Sequence, residues 1–400
     1  MPDNTPLRIA FNIDHFLLHR GGAERYLYDF VMYLLDRGHE VHVFAMDGQD
    51  TLKTDRFYFH AVPHIPGIRW LRAWSFVINS SSMIRRYSFD IIHVLGKNLT
   101  MNVFQPHGGL HRRSFEQNIL AFSDQPLMRF LYKLSRLVNL KHLLFLYIEW
   151  KQYTLKKLPE YLAISQMVAN DIKERFDIPD NKIHLIYNGV DTQRFSYEVR
   201  EKYRSPMRME YGVREDEYLV LFVAHNFRLK GLRFFLDACT RFRDKHPDVK
   251  LKALIIGKHN TSSARMIERV GLSGCCICLN ALPQVEKVYA CADLLIQPTF
   301  YDPCSLVILE ALSCGLPAIT TQFNGAGELV IHGGTGFIVD KPGSIPDIVA
   351  GMELFLLKKD ANAVARAASD SMKRYDHQKI YAQLESFYYS VKEKQNKEAQ

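Results

Sequence analysis

Short apolar runs alternate with segments of helical periodicity along most of this chain. Each run has four to eight residues and is mostly aliphatic, as in strands that a parallel sheet buries on both faces. The series starts again after Asp191, so the order predicts two successive doubly wound α/β domains with parallel sheets. Strands are predicted at residues 7–13, 40–46, 90–96, 101–107, 161–165 and 183–189, and then at 218–225, 251–257, 275–280, 293–299, 318–321 and 335–339.

Two helices stand out by their periodicity. The first runs from residue 23 to Gly38 and joins the first two strands into a βαβ unit, whose crossover is expected to be right-handed. The second is predicted at Tyr375–Lys394, before a polar tail (KEKQNKEAQ) that is expected to be frayed. The apolar faces of these helices comprise Tyr26, Phe30, Tyr33 and Leu34, and Ile380, Leu384, Phe387 and Tyr388.

Composition agrees with two domains of ordinary size. The chain has 400 residues, 47% of them hydrophobic, which is enough for two separate cores. No run of eighteen uncharged apolar residues occurs, and the start lacks the basic-then-apolar order of a signal peptide, so we expect a cytoplasmic protein. The seven cysteines lie mostly in strand-like and helix-like runs without zinc-finger spacing, so we expect buried cysteines and no metal site.

Positive charge is concentrated in one segment. The net charge is +8, and residues 61–160 hold fourteen Lys and Arg against five acidic residues. Such a block implies an anionic partner, which could be nucleic acid, a phosphorylated glycan or lipid headgroups. Between His111 and Leu158 the cations interleave with aromatic and aliphatic residues, as in interfacial helices, although surface helices packed on a domain share this pattern. We favour an anionic membrane surface over nucleic acid, because no nucleic-acid module appears.

A glycine pair follows the first strand. Gly21 and Gly22 precede the first helix, where a backbone without Cβ atoms can approach a phosphate. An ordinary tight turn is the alternative explanation. The three spaced glycines of a dinucleotide fingerprint are missing, so the sequence does not predict a nicotinamide dehydrogenase.

The second half carries two charged loops after strands. Arg228 and Lys230 precede a helix that is predicted to open at Gly231, and they could clamp a diphosphate or form a solvated loop. Asp302 lies eight positions before Glu310, so two helical turns place both carboxylates near one face. The backbone N–H groups of the helix start, at Cys304, Ser305 and Leu306, suit an anion. A simple helix cap at Asp302 is the competing explanation.

Five segments occur together in an order that resembles the retaining glycosyltransferases of family 4. The match runs from about residue 8 to 340, and these segments look closest to lipopolysaccharide-core glucosyltransferases. The resemblance implies an α/β GT-B fold, in which two Rossmann-like, doubly wound parallel-sheet domains face a cleft. The segments are GGAER, YNGVDTQRF, FRLKG, ACADLLIQPT and DPCSLVILEALSCGLPAITT.

The resemblance also implies roles for residues of the second half. Glu310 would bind the nucleotide ribose, and Asp302, where the family usually has glutamate, would bind hydroxyls of the transferred sugar. Ser305 and Leu306 would offer backbone N–H groups to the phosphates, and Lys230 would bind the diphosphate. The sequence leaves open which residue is the second cation at the diphosphate. His225 stands where the family usually has arginine, and Arg228 could replace that arginine.

One further candidate lies in the first half. His107 ends a predicted strand and precedes two glycines, where family members carry a histidine near the reactive carbon of the sugar. Its imidazole could hydrogen-bond the sugar or the departing oxygen. A lone histidine is otherwise more often structural.

Taken together, the resemblance implies a metal-independent, retaining hexosyltransferase without a cofactor. The donor would be a nucleotide sugar, with UDP-glucose preferred, and the acceptor a lipid-linked or lipopolysaccharide-core glycan at the inner face of the cytoplasmic membrane. The alternatives are another GT-B enzyme, such as a sugar-nucleotide epimerase or a glycan phosphorylase, and an inactive GT-B binding module. We expect an acceptor domain at residues 1–190, a donor domain at 191–374, and a segment at 375–400 that returns to the first domain.

Overall fold

The fold was analysed in a computed structural model of the chain. It describes residues 5–17, 21–48, 52, 54–122, 126–259, 261–280 and 282–399. Contacts divide the chain into two compact units. Unit 1 comprises Met1–Tyr187 and Gln378–Gln400, and unit 2 comprises Asn188–His377.

Unit 1 is built on a seven-stranded parallel sheet with the order β5-β3-β1-β6-β7-β8-β9. A two-stranded parallel pair, β2 with β4, lies outside this sheet. Because the order reverses at β1, the chain builds the sheet outward from β1 in both directions, as in Rossmann-like domains. The strands are β1 Arg8–Asn12, β2 His15–Phe16, β3 Glu40–Ala45, β4 Asp47–Gly48, β5 Phe57–Ala61, β6 Ile91–Val94, β7 Val103–Phe104, β8 Glu160–Ala163 and β9 Ile183–Leu185.

Helices join these strands and cover the sheet. In α1, Tyr26, Phe30 and Leu34 are buried as the periodicity predicts. Tyr33 is only half-buried, and its hydroxyl donates a hydrogen bond to Glu385 at 2.9 Å. The helices are α1 Gly22–Asp36, α2 Arg69–Ile84, α3 His111–Leu120, α4 Pro126–Leu137, α5 Leu140–Tyr153 and α6 Gln166–Phe176.

Unit 2 repeats this plan with a six-stranded parallel sheet. Its order is β12-β11-β10-β13-β14-β15, with the reversal at β10. Its strands are β10 Glu217–Val223, β11 Lys250–Ile256, β12 Cys276–Leu279, β13 Leu294–Gln297, β14 Ala318–Thr321 and β15 Gly336–Val339. Its helices are α7 Tyr197–Glu210, α8 Leu232–Lys245, α9 Thr261–Arg269, α10 Val285–Cys291, α11 Leu306–Ser313, α12 Ile345–Glu353 and α13 Ala361–Met372.

These two sheets confirm the predicted α/β class with two Rossmann-like parallel sheets. Every predicted strand is present, although several are shorter than their apolar runs. One edge strand, β5, was not predicted, because its sequence FYFHA contains no aliphatic run and Tyr58 is exposed. The cysteine prediction was only partly right, because Cys278 is exposed on β12 while Cys239, Cys291 and Cys304 are buried.

The last helix, α14 (His377–Ala399), packs within unit 1. All four predicted apolar positions, Ile380, Leu384, Phe387 and Tyr388, are buried. The expectation of a frayed tail was wrong, because the helix continues to residue 399. Ion pairs to the body of unit 1 stabilise this last part, namely Lys392 to Asp90 at 2.9 Å, Lys394 to Glu160 at 3.4 Å and Glu398 to Lys157 at 2.9 Å.

Candidate active site

The candidate site lies where the strand order of the second sheet reverses. Strands β10 and β13 are hydrogen-bonded neighbours, but they are not consecutive in the chain. The loops that leave their carboxyl ends therefore turn to opposite sides and leave a crevice, which is the usual ligand site of open parallel sheets. The loop after β10 carries His225, Arg228 and Lys230, and the loop after β13 carries Asp302.

Gly231 allows these two loops to approach closely. Its φ of +81° is in the left-handed region. It is the N-cap residue of α8, one position before the first helical residue, Leu232. A Cβ atom at this position would lie 2.2 Å from the carbonyl oxygen of Pro298, which no side chain could avoid. The backbone here therefore requires glycine, and it brings Lys230 next to the loop after β13.

Lys230 and Asp302 form an ion pair, with the ammonium hydrogen-bonded to Oδ2 of the carboxylate. Both side chains are mostly buried, with 18% and 14% of their surfaces exposed. The backbone of Asp302 is fixed as well, since its N–H donates to Phe323 and its carbonyl accepts from Gly325. Asp302 does not cap α11, because the residue at the cap position is Ser305 and no side-chain cap bond is formed there.

The start of α11 is organised by buried amides. Asn324 Oδ1 accepts from the backbone N–H of Ser305 at 3.3 Å, and Gln297 Oε1 accepts from the Ser305 hydroxyl at 3.1 Å. The N–H of Ser305 is thus already engaged, and a phosphate would have to displace Asn324 from it. Leu306 is the first residue of the helix, so its N–H has no intrahelical acceptor. Cys304 is buried immediately before, and burial raises the pKa of its thiol, which keeps it neutral.

Glu310 lies one turn further along α11 and is half-buried. Its Oε2 accepts a hydrogen bond of 2.8 Å from the hydroxyl of Tyr289 on α10. Burial, together with the charge of Glu310, raises the pKa of this hydroxyl well above its usual value. Tyr289 therefore remains a proton donor at neutral pH and fixes one oxygen of the carboxylate.

The other predicted cations of this loop are more open. His225 and Arg228 are both exposed. The structure thus brings together Lys230, Asp302 and the start of α11.

Unit 1 holds the remaining predicted residues. Gly21 caps α1 with an extended φ of −178°, and Gly22 is the first residue of that helix. His107 is half-buried beside Tyr26, with the ring centroids 5.2 Å apart, and its Nδ1 lies 3.4 Å from Nε2 of Gln105. The glycine pair and His107 thus belong to one region, because Tyr26 is a residue of α1.

Several residues of the site were not predicted from the sequence. Gln297, Asn324 and Tyr289 hold Ser305 and Glu310 through side-chain hydrogen bonds, and Asn188 donates to the carbonyl of Cys304 at 3.1 Å. Their partners are eight to 116 positions away in the chain, so no local pattern indicates them. The position of Gln297 at the end of a buried strand is the one signal that could have identified it.

Neither a metal-binding cluster nor a membrane-spanning helix occurs in the part of the chain that the structure describes. No group of three or more His, Cys, Asp or Glu side chains is placed to hold a metal ion there. In the same residues, no helix combines the length and the apolar character needed to cross a bilayer.

Comparison with known families divides the chain in the same way as its two sheets. Residues 20–194 match the family model described as Glycosyltransferase Family 4, and residues 204–372 match the one described as Glycosyl transferases group 1. The chain belongs to the GT-B glycosyltransferases. Its family 4 segment supplies most of the first sheet, and its group 1 segment contains Lys230, Asp302 and Glu310.

Individual GT-B relatives are distant. The D-inositol 3-phosphate glycosyltransferase of Paenarthrobacter aurescens is 30% identical over 178 residues, which is 43% of each chain. The chain spans about half the length of the curated relatives that it matches.

Two solved structures share the GT-B fold along nearly the whole chain. WaaG, a glycosyltransferase involved in lipopolysaccharide biosynthesis, has a TM-score of 0.78 and 17% identity over 95% of this chain and 99% of its own. Anabaena HepE in complex with UDP and glucose has a TM-score of 0.70 and 19% identity over 96% of this chain and 100% of its own. At such identities the likeness shows the fold alone.

Proposed function

We propose that this GT-B protein is a retaining hexosyltransferase that uses a nucleotide diphosphate sugar, with UDP-glucose as the preferred donor. The observation that carries the proposal is the ion pair of Lys230 and Asp302 beside the start of α11. The mostly buried ammonium of Lys230 is neutralised by the carboxylate of Asp302. A bound donor would give each residue a new partner. Its diphosphate would bind Lys230, and its sugar hydroxyls would donate hydrogen bonds to Asp302.

The neighbouring groups complete this donor site. The N–H of Leu306 and the positive end of the α11 dipole would stabilise the phosphate charge. Glu310, oriented by Tyr289, would accept hydrogen bonds from the ribose hydroxyls. Arg228 or His225, which are both exposed on the same loop as Lys230, would add a second contact to the diphosphate, and Gly21 and Gly22 would offer backbone to it.

Catalysis would then rest on stabilising the departing nucleotide. Negative charge grows on the leaving phosphate as its bond to the sugar breaks, and Lys230 with the helix-start amide would favour that charge without a metal ion. His107 would hydrogen-bond the sugar or the departing oxygen. The leaving phosphate would take the proton of the acceptor hydroxyl, so that the new bond forms on the face from which the nucleotide leaves.

Two relatives agree with this choice of substrates by the names they carry. HepE was solved in complex with UDP and glucose, and WaaG is named as a glycosyltransferase of lipopolysaccharide biosynthesis. We therefore propose a lipid-linked or lipopolysaccharide-core glycan as the acceptor. The names of other relatives contain inositol 3-phosphate and L-malate, which are both anions at neutral pH.

Donor binding is the first test of this proposal. A thermal-shift screen of UDP-glucose, UDP-galactose, UDP-N-acetylglucosamine, GDP-mannose and ADP-heptose should show the largest stabilisation with UDP-glucose. Titration calorimetry of Lys230→Gln should give at least a tenfold weaker affinity, since a charge-assisted hydrogen bond contributes about 1.5–3 kcal/mol. Lys202→Gln, an exposed lysine on α7, is the matched control and should bind as the wild type does.

Two outcomes would contradict the donor assignment. One is the absence of stabilisation by every nucleotide sugar in the screen, and the other is an unchanged affinity of Lys230→Gln. The anomeric configuration of the product, read by proton NMR, tests retention. Donor binding without any turnover on a panel of glycan acceptors would support the inactive binding module, and release of an epimerised sugar would support the epimerase.

A membrane role would follow from an exposed apolar stripe on α4. None of its residues is buried, and its apolar positions recur every three or four residues. Arg129, Lys133 and Arg136 are interspersed among them, so the charge is complementary to anionic lipid. The apolar stripe comprises Leu127, Phe130, Leu131, Leu134 and Leu137 on α4, and continues with Leu140, Leu143, Tyr147 and Trp150 on α5.

Sedimentation with liposomes tests this role. Wild-type protein should bind vesicles of phosphatidylglycerol and phosphatidylcholine at low salt, and Phe130→Gln with Leu134→Gln should reduce the bound fraction at least tenfold, because each apolar side chain contributes about 1.5–3 kcal/mol when buried. Met209→Gln removes an even more exposed apolar side chain from unit 2 and should have no effect. Folded wild-type protein that stays in the supernatant would refute the membrane role.

A further inference from the structure

Four cations lie together at the carboxyl edge of the first sheet. We name them the basic cluster, namely Arg69, Arg72, Lys97 and Lys141. Arg69 and Arg72 are in the first turn of α2, Lys141 is in the first turn of α5, and Lys97 is in the loop after β6. Three elements far apart in the sequence thus contribute to one positive region.

The basic cluster lies at the strand-order reversal of the first sheet. Strands β1 and β6 are neighbours there, and the loops that follow them carry Asp14 and Lys97. These loops are adjacent, since a Cβ atom on Gly96 would lie 3.4 Å from Oδ1 of Asp14. This position in unit 1 corresponds to the position of Lys230 and Asp302 in unit 2, and it is where an open parallel sheet binds ligands.

One aromatic ring holds two of the ammonium groups. Lys97 Nζ lies 4.1 Å from the ring centroid of Phe145, and Lys141 Nζ lies 5.0 Å from the same centroid. Both lysines are half-buried, and so is Arg72. Cation–π contacts fix the side chains but neutralise no charge, so two like charges are held close to each other.

The charge of the basic cluster is only partly compensated, by the electrostatic influence of Asp14 on Lys141 and of Glu149 on Lys97. Within the residues that the structure describes, none of its four cations forms an ion pair with a carboxylate. Burial, with the positive charges of Arg69, Lys97 and Arg72, lowers the pKa of Lys141, and the charge of Asp14 opposes this shift. The first turns of α2 and α5 contain no acidic residue, so the positive ends of the two helices add to the repulsion.

Folding alone gives no reason for this arrangement. Cations in the first turn of a helix are unfavourable, and half-buried like charges repel each other. A dianion bound among these cations would offset both their mutual repulsion and their unfavourable interaction with the helix dipoles. We infer that the basic cluster is an oxyanion site at the edge of the first sheet, and that it binds a phosphate group on the sugar acceptor.

The assignment to the acceptor rests on the proposed function, which gives the donor phosphates to Lys230 in unit 2. The oxyanion site itself stands on the geometry of unit 1. An acceptor phosphate bound there would be recognised by charge and by the forked geometry of the two guanidinium groups. The inference therefore narrows the acceptor to a phosphorylated glycan.

Inorganic phosphate is the first probe, used with the full chain at constant ionic strength. Phosphate should raise the melting temperature of the wild type, and Lys97→Gln with Lys141→Gln should weaken phosphate binding at least about tenfold, because each removes a charge-assisted contact. The same variant should be more stable than the wild type without phosphate, since it relieves the repulsion. If the two lysines had only a structural role, the double variant would be less stable than the wild type without phosphate.

Matched variants separate this site from the donor site. Lys156→Gln, an exposed lysine of unit 1, and Lys230→Gln should both keep the stabilisation by phosphate at the basic cluster. The double variant should bind UDP with the affinity of the wild type. Unchanged phosphate binding by the double variant, or an equal loss of UDP binding, would overturn the inference. Failure of the wild type to bind UDP would instead overturn the proposed donor site and leave the phosphate result intact.

Two further arms identify the source of the phosphate. Glucose 6-phosphate should compete with inorganic phosphate in the wild type but not in the double variant. Vesicles of phosphatidylglycerol should sediment both proteins alike, because the apolar stripe is unchanged. If the double variant lost vesicle binding and kept glucose 6-phosphate binding, the basic cluster would serve lipid headgroups, and the acceptor assignment would be wrong.

Discussion

Glu160 offers a test of how the last helix is held in unit 1. It begins β8 and is almost fully buried, and its carboxylate accepts hydrogen bonds from Lys182 at 2.8 Å and His184 at 2.6 Å. Lys394, on α14, lies 3.4 Å away. One carboxylate thus joins two strands and the carboxyl-terminal helix.

The contribution of the Glu160 carboxylate to the free energy of unfolding follows from the shift of its pKa. Burial alone would raise the pKa of Glu160, but the hydrogen bonds from His184 and Lys182 and the charges of Lys182 and Lys394 lower it from 4.5 to about 2. At about 1.4 kcal/mol for each pH unit, the difference corresponds to about 3 kcal/mol of stability at neutral pH. Because the folded pKa is the lower one, this stability is complete well above pH 4.5 and is lost as the pH falls toward 2.

Unfolding of unit 1 can be followed by itself. The three tryptophans, Trp70, Trp74 and Trp150, all belong to unit 1, so urea titrations read by tryptophan fluorescence report on that unit. At pH 7, Glu160→Gln should lower the free energy of unfolding by about 3 kcal/mol relative to the wild type. At pH 3 the difference should be about 2 kcal/mol smaller, because the wild-type carboxylate is then protonated in the unfolded state.

The matched control is Glu398→Gln, which removes an exposed carboxylate of α14 that pairs with Lys157. It should change the unfolding midpoint little at either pH, since exposed ion pairs contribute little. The reasoning would be refuted by a difference between Glu160→Gln and the wild type that is the same at pH 3 and pH 7. Such a result would mean that the cations around Glu160 do not depress its pKa.

Three further predictions concern the GT-B site and its supports. Gly231→Ala should destabilise the protein by at least about 3 kcal/mol in thermal unfolding followed by circular dichroism, because the new methyl group meets a backbone carbonyl. The control is Gly212→Ala, at a position with φ +61° and open space around it, which should cost only about 1 kcal/mol. Tyr289→Phe should weaken UDP binding about fivefold in calorimetry by releasing the Glu310 carboxylate, and an unchanged affinity would remove its positioning role. His107→Ala should lower the transfer rate at least about tenfold without changing the affinity for UDP, and a rate equal to that of the wild type would make this histidine structural.

Much of the candidate site could be located from the sequence because it lies in local patterns. Lys230 and Asp302 each lie in a loop after a strand-like run, so their place at the carboxyl edge of a sheet follows from the order of elements. Glu310 is placed by its spacing of eight residues from Asp302. Their partners could not be located in this way. The ion pair of Lys230 with Asp302 joins residues 72 positions apart, and the contact of Tyr289 with Glu310 depends on how α10 and α11 pack.

The basic cluster shows the same division. The sequence shows an excess of positive charge in residues 61–160, but it does not indicate which of these cations lie on the same surface. The folded chain separates them into the apolar stripe of α4 and α5, where cations lie among exposed side chains, and the cluster at Lys97 and Lys141, where they share the ring of Phe145. We propose different ligands for these two surfaces, a membrane and a phosphate, although their residues are interleaved in the sequence.

The sequence by itself determined the class of the fold, the repetition of the βαβ plan and the buried faces of α1 and α14, because hydrophobic periodicity is a local property of the chain. Tertiary structure alone decided which charges neutralise each other. Glu160 contacts Lys182, His184 and Lys394 directly. Lys97 and Lys141 instead share an aromatic ring and form no ion pair among the residues that the structure describes. Nothing in the local sequence distinguishes the two cases. Electrostatic compensation depends on distances across the fold, and those distances exist only once the sheet order has been set.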